Sequence, residues 1–111
     1  MRRYCLALDL VDDEHLIALY EKWHREVWPE IIESIRSSGI EQMEIYRVSN
    51  RLFMIMEVNK NFSFEAKAKV DRANEKVQQW EKLMWQFQQP MPFAKRGEKW
   101  VLMDKIFDMK V

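Results

Sequence analysis

The chain has 111 residues, 48% hydrophobic and 32% charged, an ordinary globular balance that predicts a single domain over residues 1–111. Its 18 basic residues balance 18 acidic residues, so we expect neither nucleic acid nor an anionic membrane surface as a partner. No apolar run approaches the roughly 18 residues needed to span a bilayer, and no signal-peptide pattern opens the chain, so a cytoplasmic location is the default expectation.

The first predicted element is a β-strand at residues 2–10, a short apolar run that contains the single cysteine, Cys5. Asp12 or Asp13 can cap the helix that follows, because an aspartate side chain accepts hydrogen bonds from the first free N–H groups of a helix. Apolar and aromatic side chains then recur at spacings of three and four residues, at Leu16, Tyr20, Trp23 and Val27. We expect Pro29 to kink or restart this helix, since the residue before a proline avoids helical geometry.

Two further strands are predicted at residues 41–48 and 51–58, and the two residues between them give hairpin spacing. A second helix is predicted from about residue 63 to residue 88. Its apolar stripe consists of Val70, Ala73, Val77, Trp80, Met84 and Phe87. A loop and a last strand at residues 98–109 complete the chain.

The order strand, helix, strand, strand, helix, strand predicts an α+β fold of the ferredoxin-like βαββαβ type. In this arrangement two helices cover one face of a four-stranded antiparallel sheet. The strands at residues 2–10 and 51–58 are apolar on both faces, whereas a sheet with one wet face alternates between apolar and polar residues. Two helices cover only one face, so we expect a second copy of the chain on the other face, giving a homodimer.

Tyr20 and His24 are four residues apart and therefore neighbours on one helix face. They suit an acid–base pair facing a cleft, because histidine titrates near neutral pH and a tyrosine hydroxyl can orient a substrate. The alternative is a half-exposed histidine beside a core tyrosine. Spacing alone favours this structural interpretation, since a lone histidine on a helix is usually structural.

Four of the five tryptophans fall on predicted helices: Trp23, Trp28, Trp80 and Trp85. Rings beside polar side chains suit stacking against the C–H faces of a sugar, although filling the core and a dimer interface explains most of them. Trp23 is the strongest candidate for a core filler.

His15 and His24 lie nine residues apart with no cysteine cluster, so no metal site is predicted. No glycine-rich motif supports a nucleotide, and we expect no cofactor.

The segment YEKWHREVWPEI, residues 20–31, resembles the L-rhamnose mutarotase family, in which a tyrosine, a histidine four residues later and a Trp-Pro-Glu follow one another. The segments MEIYRVSNRLFMIMEV and VQQWEKLM are similar to the hairpin and the second helix of that family. The resemblance implies a homodimeric α/β barrel that interconverts the α and β anomers of a sugar without a cofactor. It implies that His24 is the proton donor, that Tyr20 binds substrate, and that Trp80 is the first of two adjacent tryptophans at the sugar site.

Two positions depart from the family pattern. The second tryptophan is replaced by Glu81, and a tyrosine early in the second strand is replaced by Met43, which leaves Tyr46 as the hairpin tyrosine. We therefore expect a 6-deoxy sugar as substrate, either L-rhamnose or L-fucose. In the corresponding hypothesis His24 donates a proton to the ring oxygen, and Tyr20 or Glu81 handles the proton of the anomeric hydroxyl.

Two other classes of function fit the same predicted fold. Cofactor-free monooxygenases and haem-degrading enzymes share the dimeric barrel, and fold alone does not separate them from a mutarotase. A non-catalytic sugar-binding module is the third possibility. It would bind sugar without accelerating the exchange of anomers.

Overall fold

A computed structural model describes residues 2–110, so the two ends of the predicted domain, Met1 and Val111, lie outside the described residues. The strands are β1 (Arg2–Leu10), β2 (Ile40–Val48), β3 (Arg51–Val58), β4 (Gln88–Gln89) and β5 (Val101–Leu102). The helices are α1 (Glu14–Arg25), α2 (Pro29–Ser37), α3 (Phe64–Ala73) and α4 (Glu75–Trp85). None of these four helices combines the length and the apolar composition that a membrane span requires.

The sheet is antiparallel, and its three long strands lie in the order β2-β3-β1. The other edge of β1 pairs with two short strands, with β4 at Asp9 and Leu10 and with β5 at Leu6 and Ala7. The predicted α+β fold with an antiparallel sheet is therefore confirmed. The predicted last strand at 98–109 is wrong in extent, because only Val101–Leu102 is a strand in that segment. Part of the remaining edge of β1 is taken by β4.

The first predicted helix begins and breaks where the sequence indicated. The side chain of Asp13 caps α1 by accepting a hydrogen bond from the backbone N–H of Leu16, at 3.0 Å. The helix ends at Arg25, and α2 begins at Pro29, where a proline has no N–H to leave unsatisfied. This break sets the directions of two helices that both reach the same cavity, described below.

The second predicted helix is wrong as a single element, because it divides at Asn74 into α3 and α4. The Asn74 side chain accepts a hydrogen bond from the backbone N–H of Val77, at 3.2 Å, and so begins a new helix where the old one ends. Val70, which the predicted stripe placed among the packing residues, is 60% exposed on α3. The apolar stripe therefore packs only along α4 and the residues after it.

The helices cover one face of the sheet, here called the inner face. Most inner-face side chains of β1 and β3 are buried: Leu6, Leu8, Leu10, Leu52, Met54, Met56 and Val58. Around them the buried core divides into one cluster that contains Tyr20, Trp80 and Met84 and a second that contains Ile40 and Phe62. The first cluster contains the residues from which the candidate site is built.

The opposite, outer face of the sheet is also largely apolar, as the strand pattern predicts. Cys5 and Ala7 of β1 lie opposite Ile55 and Phe53 of β3, and all four are half-buried in the single chain. Next to them Asp9 is buried and accepts hydrogen bonds from two nitrogens of the Arg51 guanidinium, at 2.8 and 3.2 Å. Such a bidentate pair holds its geometry well. The outer face is therefore apolar along its centre and charged at both ends, since Arg3 and Glu57 form an ion pair at the other end.

Candidate active site

A cavity of about 610 Å³ lies between the helices and the inner face of the sheet. This volume is within the range of roughly 300–1,000 Å³ that is typical of small-molecule sites. Its lining residues come from several parts of the chain, among them Tyr20 and His24 from α1, Met43 from β2, Trp80 and Glu81 from α4, Gln88 from β4, and Lys99 and Trp100 from the segment before β5. The walls are mostly apolar with a few polar groups, the composition usual for a site that orients a small ligand.

His24 is held by the main chain of its own helix. Its Nδ1 atom lies 2.8 Å from the carbonyl oxygen of Tyr20. A carbonyl can only accept, so Nδ1 carries the hydrogen and the Nε2 atom of the neutral imidazole keeps a free lone pair. Burial lowers the pKa of His24 below its usual 6.5, and the hydrogen bond to the Tyr20 carbonyl opposes this only in part. At neutral pH His24 is therefore mainly a proton acceptor, through Nε2.

Tyr20 lies against the histidine, with its ring centroid 4.3 Å from that of His24. Burial raises the pKa of the Tyr20 hydroxyl to about 12, while a hydrogen bond from the side chain of Gln88 acts in the opposite direction. The hydroxyl therefore keeps its proton at neutral pH. It can donate a hydrogen bond to a ligand oxygen, but it is a poor base.

Trp80 is the centre of an aromatic cluster beside the cavity and is only 9% exposed. Its ring centroid lies 5.7 Å from that of His24, 5.1 Å from that of Trp28 and 6.4 Å from that of Trp23, each in an edge-to-face arrangement. Such contacts fix the plane of the Trp80 ring. Trp23, predicted as a core filler, is instead 36% exposed at the outside of this cluster.

Five of the seven predicted site residues line the cavity together: Tyr20, His24, Met43, Trp80 and Glu81. Trp28 packs against Trp80 and is not among the lining residues. Tyr46 lies on the outer face, opposite Phe53 in the strand pairing, and is 54% exposed. Side chains alternate between the faces of a strand, so Met43 on the inner face of β2 places Tyr46 on the other face.

Lys99, which the sequence did not single out, also lines the cavity. Its Nζ atom donates a hydrogen bond to the backbone oxygen of Glu81, at 3.2 Å, and lies 4.4 Å from the ring centroid of Trp85. Burial lowers the pKa of Lys99, although the negative charge of Glu81 acts against this shift. In the sequence, the only feature that pointed towards Lys99 was the neighbouring tryptophan, Trp100, among charged residues in the segment predicted as a strand.

Another part of the cavity wall carries an ion pair. The Lys67 Nζ atom lies 2.8 Å from Asp71 Oδ2, and the Ser34 hydroxyl donates a hydrogen bond to Asp71 Oδ1 at 3.3 Å. The i,i+4 spacing of Lys67 and Asp71 on α3 was visible in the sequence but is common on helices. Across the described residues, no group of three or more His, Cys, Asp or Glu side chains is arranged to hold a metal ion.

A protein-family model described as L-rhamnose mutarotase matches residues 3–109. The chain belongs to the L-rhamnose mutarotase family. It is 47% identical over 109 residues to an L-fucose mutarotase of Xanthomonas campestris pv. campestris, covering 96% of this chain and 87% of the relative. It is also 37% identical over 112 residues to a UPF0734 protein of Dictyostelium discoideum, covering 97% and 90% of the two chains.

Solved structures agree on the fold. The crystal structure of an L-rhamnose mutarotase from Formosa agariphila matches with a TM-score of 0.72 at 20% identity, covering 98% of this chain and 99% of the other. Tetracenomycin F2 cyclase from Streptomyces glaucescens, a polyketide cyclase, matches with a TM-score of 0.60 at 14% identity, covering 97% and 96%. The two likenesses show a common fold, whereas the family match shows the class of enzyme: an isomerase that acts on carbohydrate.

Proposed function

We propose that this protein is a cofactor-independent mutarotase that exchanges the α and β anomers of a 6-deoxy sugar, with L-fucose preferred over L-rhamnose. The observation that carries the proposal is His24, a neutral imidazole with a free Nε2 atom at an aromatic cavity of monosaccharide scale. The preference for L-fucose rests on the relative at 47% identity and on Glu81 and Met43 in the cavity wall. We place the enzyme in the cytoplasm, where its single cysteine, Cys5, would stay reduced.

In the proposed reaction the sugar ring opens and closes again. The Nε2 atom of His24 takes the proton of the anomeric hydroxyl, and the electron pair left on O1 forms the C1=O1 double bond of the aldehyde. The C1–O5 bond breaks with its electron pair going to O5, and O5 takes up a proton. Rotation about C1–C2 then presents the other face of the aldehyde. On closure O5 loses its proton, and the imidazolium of His24 returns a proton to O1. His24 is thus base in one half of the cycle and proton donor in the other.

A second group must supply and remove the proton at O5. Tyr20 is a poor candidate, because a hydroxyl with a pKa of about 12 keeps its proton at neutral pH. Glu81 and Lys99 line the same cavity, and burial makes the Lys99 ammonium a stronger acid than a free lysine. We assign the proton exchange at O5 to Lys99, with the carboxylate of Glu81 stabilising its charge and Tyr20 orienting the sugar by a hydrogen bond.

The direct test is anomer exchange followed by saturation-transfer NMR on L-fucose, L-rhamnose and ordinary aldoses. Wild-type protein should accelerate exchange above the buffer rate, most strongly for L-fucose. Binding of sugar with exchange at the buffer rate would indicate the non-catalytic module instead. Addition of haemin, with a Soret shift as the readout, tests the haem alternative in the same preparation.

The pH dependence follows from the lowered pKa of His24. Neutral His24 starts the reaction, so kcat/KM should be level around neutral pH and should fall as the pH decreases through a value below 6.5. The rate must be extrapolated to zero buffer concentration, because buffers also catalyse mutarotation. A rate that rises as the pH falls through this range would mean that the imidazolium is the starting form, and would contradict the assignment.

We also propose that two copies of this single domain pair through the outer face of the sheet. Its apolar centre is formed by Cys5, Ala7, Phe53 and Ile55, with Tyr46 exposed beside it. Replacing Phe53 with glutamate would bury a charge in that interface, so Phe53→Glu should shift the protein from dimer to monomer in light scattering after gel filtration. Val70→Glu, at an exposed apolar site on α3, is the matched control and should remain dimeric. A monomeric wild type would exclude this interface.

A further inference from the structure

Gln88 is a buried polar residue of the cavity wall for which the reaction above has no role. It is 8% exposed and lines the cavity with Tyr20 and His24. Its backbone is fixed, since Gln88 lies opposite Leu10 in the antiparallel pairing of β4 with β1. Because Leu10 is an inner-face residue, this pairing holds the Gln88 side chain on the side of the sheet that faces the cavity.

The Gln88 amide lies beside the Tyr20 hydroxyl, close enough to act against the rise in the pKa of that group. Among residues 2–110, its Oε1 atom is the buried side-chain polar atom that has no hydrogen-bond partner. Buried acceptors are almost always paired in folded proteins, and an unpaired one is costly to keep. A glutamine at this place therefore requires a donor that the described protein does not supply.

A sugar hydroxyl has the complementary chemistry. It can donate its hydrogen to Gln88 Oε1, and its oxygen can accept the hydrogen bond that the protonated Tyr20 hydroxyl offers. An ether oxygen, a fluorine or a methyl group cannot make both contacts. Together Tyr20 and Gln88 can thus distinguish a hydroxyl from these groups, in the cavity that His24 also lines.

We propose that Gln88 is a specificity-determining residue of the sugar site, whose Oε1 atom accepts a hydrogen bond from one ring hydroxyl of the substrate. This rests on the proposed function, since it takes a 6-deoxy sugar as the ligand. In this proposal Gln88 distinguishes between sugars that differ in a single hydroxyl, which the aromatic side chains of the cavity cannot do. Stacking on Trp80 recognises the face of a sugar ring, whereas a hydrogen bond to Gln88 identifies one particular hydroxyl.

The first arm of the test removes the amide while keeping the length of the side chain. In Gln88→Met we expect kcat/KM for L-fucose to fall about ten- to hundredfold, mostly through KM, since a polar contact to a hydroxyl is lost. Gln89→Met is the matched control, because Gln89 is the exposed neighbour in the same strand and does not line the cavity. Its rate should equal that of wild type. Equal KM and kcat in wild type and Gln88→Met would overturn the proposal.

The second arm replaces the hydroxyls of L-fucose at C2, C3 and C4 by fluorine, one at a time, and measures affinity by calorimetry. Fluorine can accept but cannot donate, so one analogue should bind wild type about ten- to hundredfold more weakly, and Gln88→Met should lose nothing further with that analogue. Undiminished binding of all three analogues to wild type would overturn the proposal without any variant. It is also the result expected if water alone satisfies Oε1 or if the amide has the reverse orientation.

The two arms separate this proposal from the proposed function. If wild type binds L-fucose but exchanges anomers at the buffer rate, the mutarotase assignment fails while the fluorine arm still tests Gln88. If wild type accelerates exchange and Gln88→Met does so equally well with an unchanged KM, only the role of Gln88 fails.

Discussion

His24→Ala should remove the acceleration of anomer exchange, lowering kcat by about 10²–10⁴-fold, the usual contribution of a positioned general acid–base group. The structure gives the reason, because the Nε2 atom is the free nitrogen of a ring that is otherwise held by the Tyr20 carbonyl. Saturation-transfer NMR on L-fucose would measure the loss. Sugar affinity should change much less, since Trp80 and the remaining wall stay in place.

Two controls sharpen this expectation. His15→Ala changes the other histidine of α1, which is exposed and outside the cavity, and its rate should equal that of wild type. Added imidazole should restore part of the rate in His24→Ala, because the truncation leaves room for a diffusible base of the same chemistry. Wild-type exchange in His24→Ala, with normal folding, would show that the proton moves through another residue.

Trp80→Ala should have the largest effect on stability among the site residues. Trp80 is 9% exposed and contacts Trp23, His24 and Trp28 edge to face, so its removal leaves a cavity in the first core cluster. Truncations of this size cost about 3–5 kcal/mol, a large part of the roughly 5–15 kcal/mol that stabilises an ordinary domain. Urea unfolding followed by circular dichroism would measure the change in the free energy of unfolding.

Trp85→Ala is the control for stability, since Trp85 is on the same helix but 38% exposed, and its cost should be well below that of Trp80→Ala. Trp80→Phe separates packing from sugar binding. It keeps an aromatic ring and most of the core, so it should cost less stability and should still weaken sugar binding through the smaller stacking surface. Equal costs for Trp80→Ala and Trp85→Ala would contradict the packing described here.

Local chemistry decided which elements of the fold were predictable. β1 and the β2–β3 hairpin follow from short apolar runs bounded by turn residues, and the start of α1 follows from a capping aspartate. The break at Asn74 was hidden because the apolar spacing continues from Val70 through Val77, while asparagine is tolerated within helices. The extended backbone of Asn74 and the hydrogen bond from the Val77 N–H to its side chain show that the helix restarts there.

The candidate site divides in the same way. Tyr20 and His24 could be paired from their spacing on one helix, and the structure brings both to the cavity. Gln88 lies in β4 and Lys99 lies just before β5, and both short strands pair with β1. No local sequence pattern predicts these pairings, so the positions of the two side chains could not be predicted. Tyr46 could have been placed by strand alternation, since the buried inner-face position of Met54 opposite Ile45 fixes which side chains of β2 face outwards.

The hydrogen bond from His24 to the carbonyl of Tyr20 joins the imidazole to a group that every amino acid possesses. Replacing the side chain at position 20 cannot remove that acceptor, so the tautomer of His24 does not depend on which residues line the cavity. Positions such as 43 and 88 can therefore change to suit another sugar while the nitrogen that moves the proton at O1 stays the same. The backbone of α1 fixes the tautomer of His24, and the choice of substrate is left to side chains that do not take part in the proton transfers.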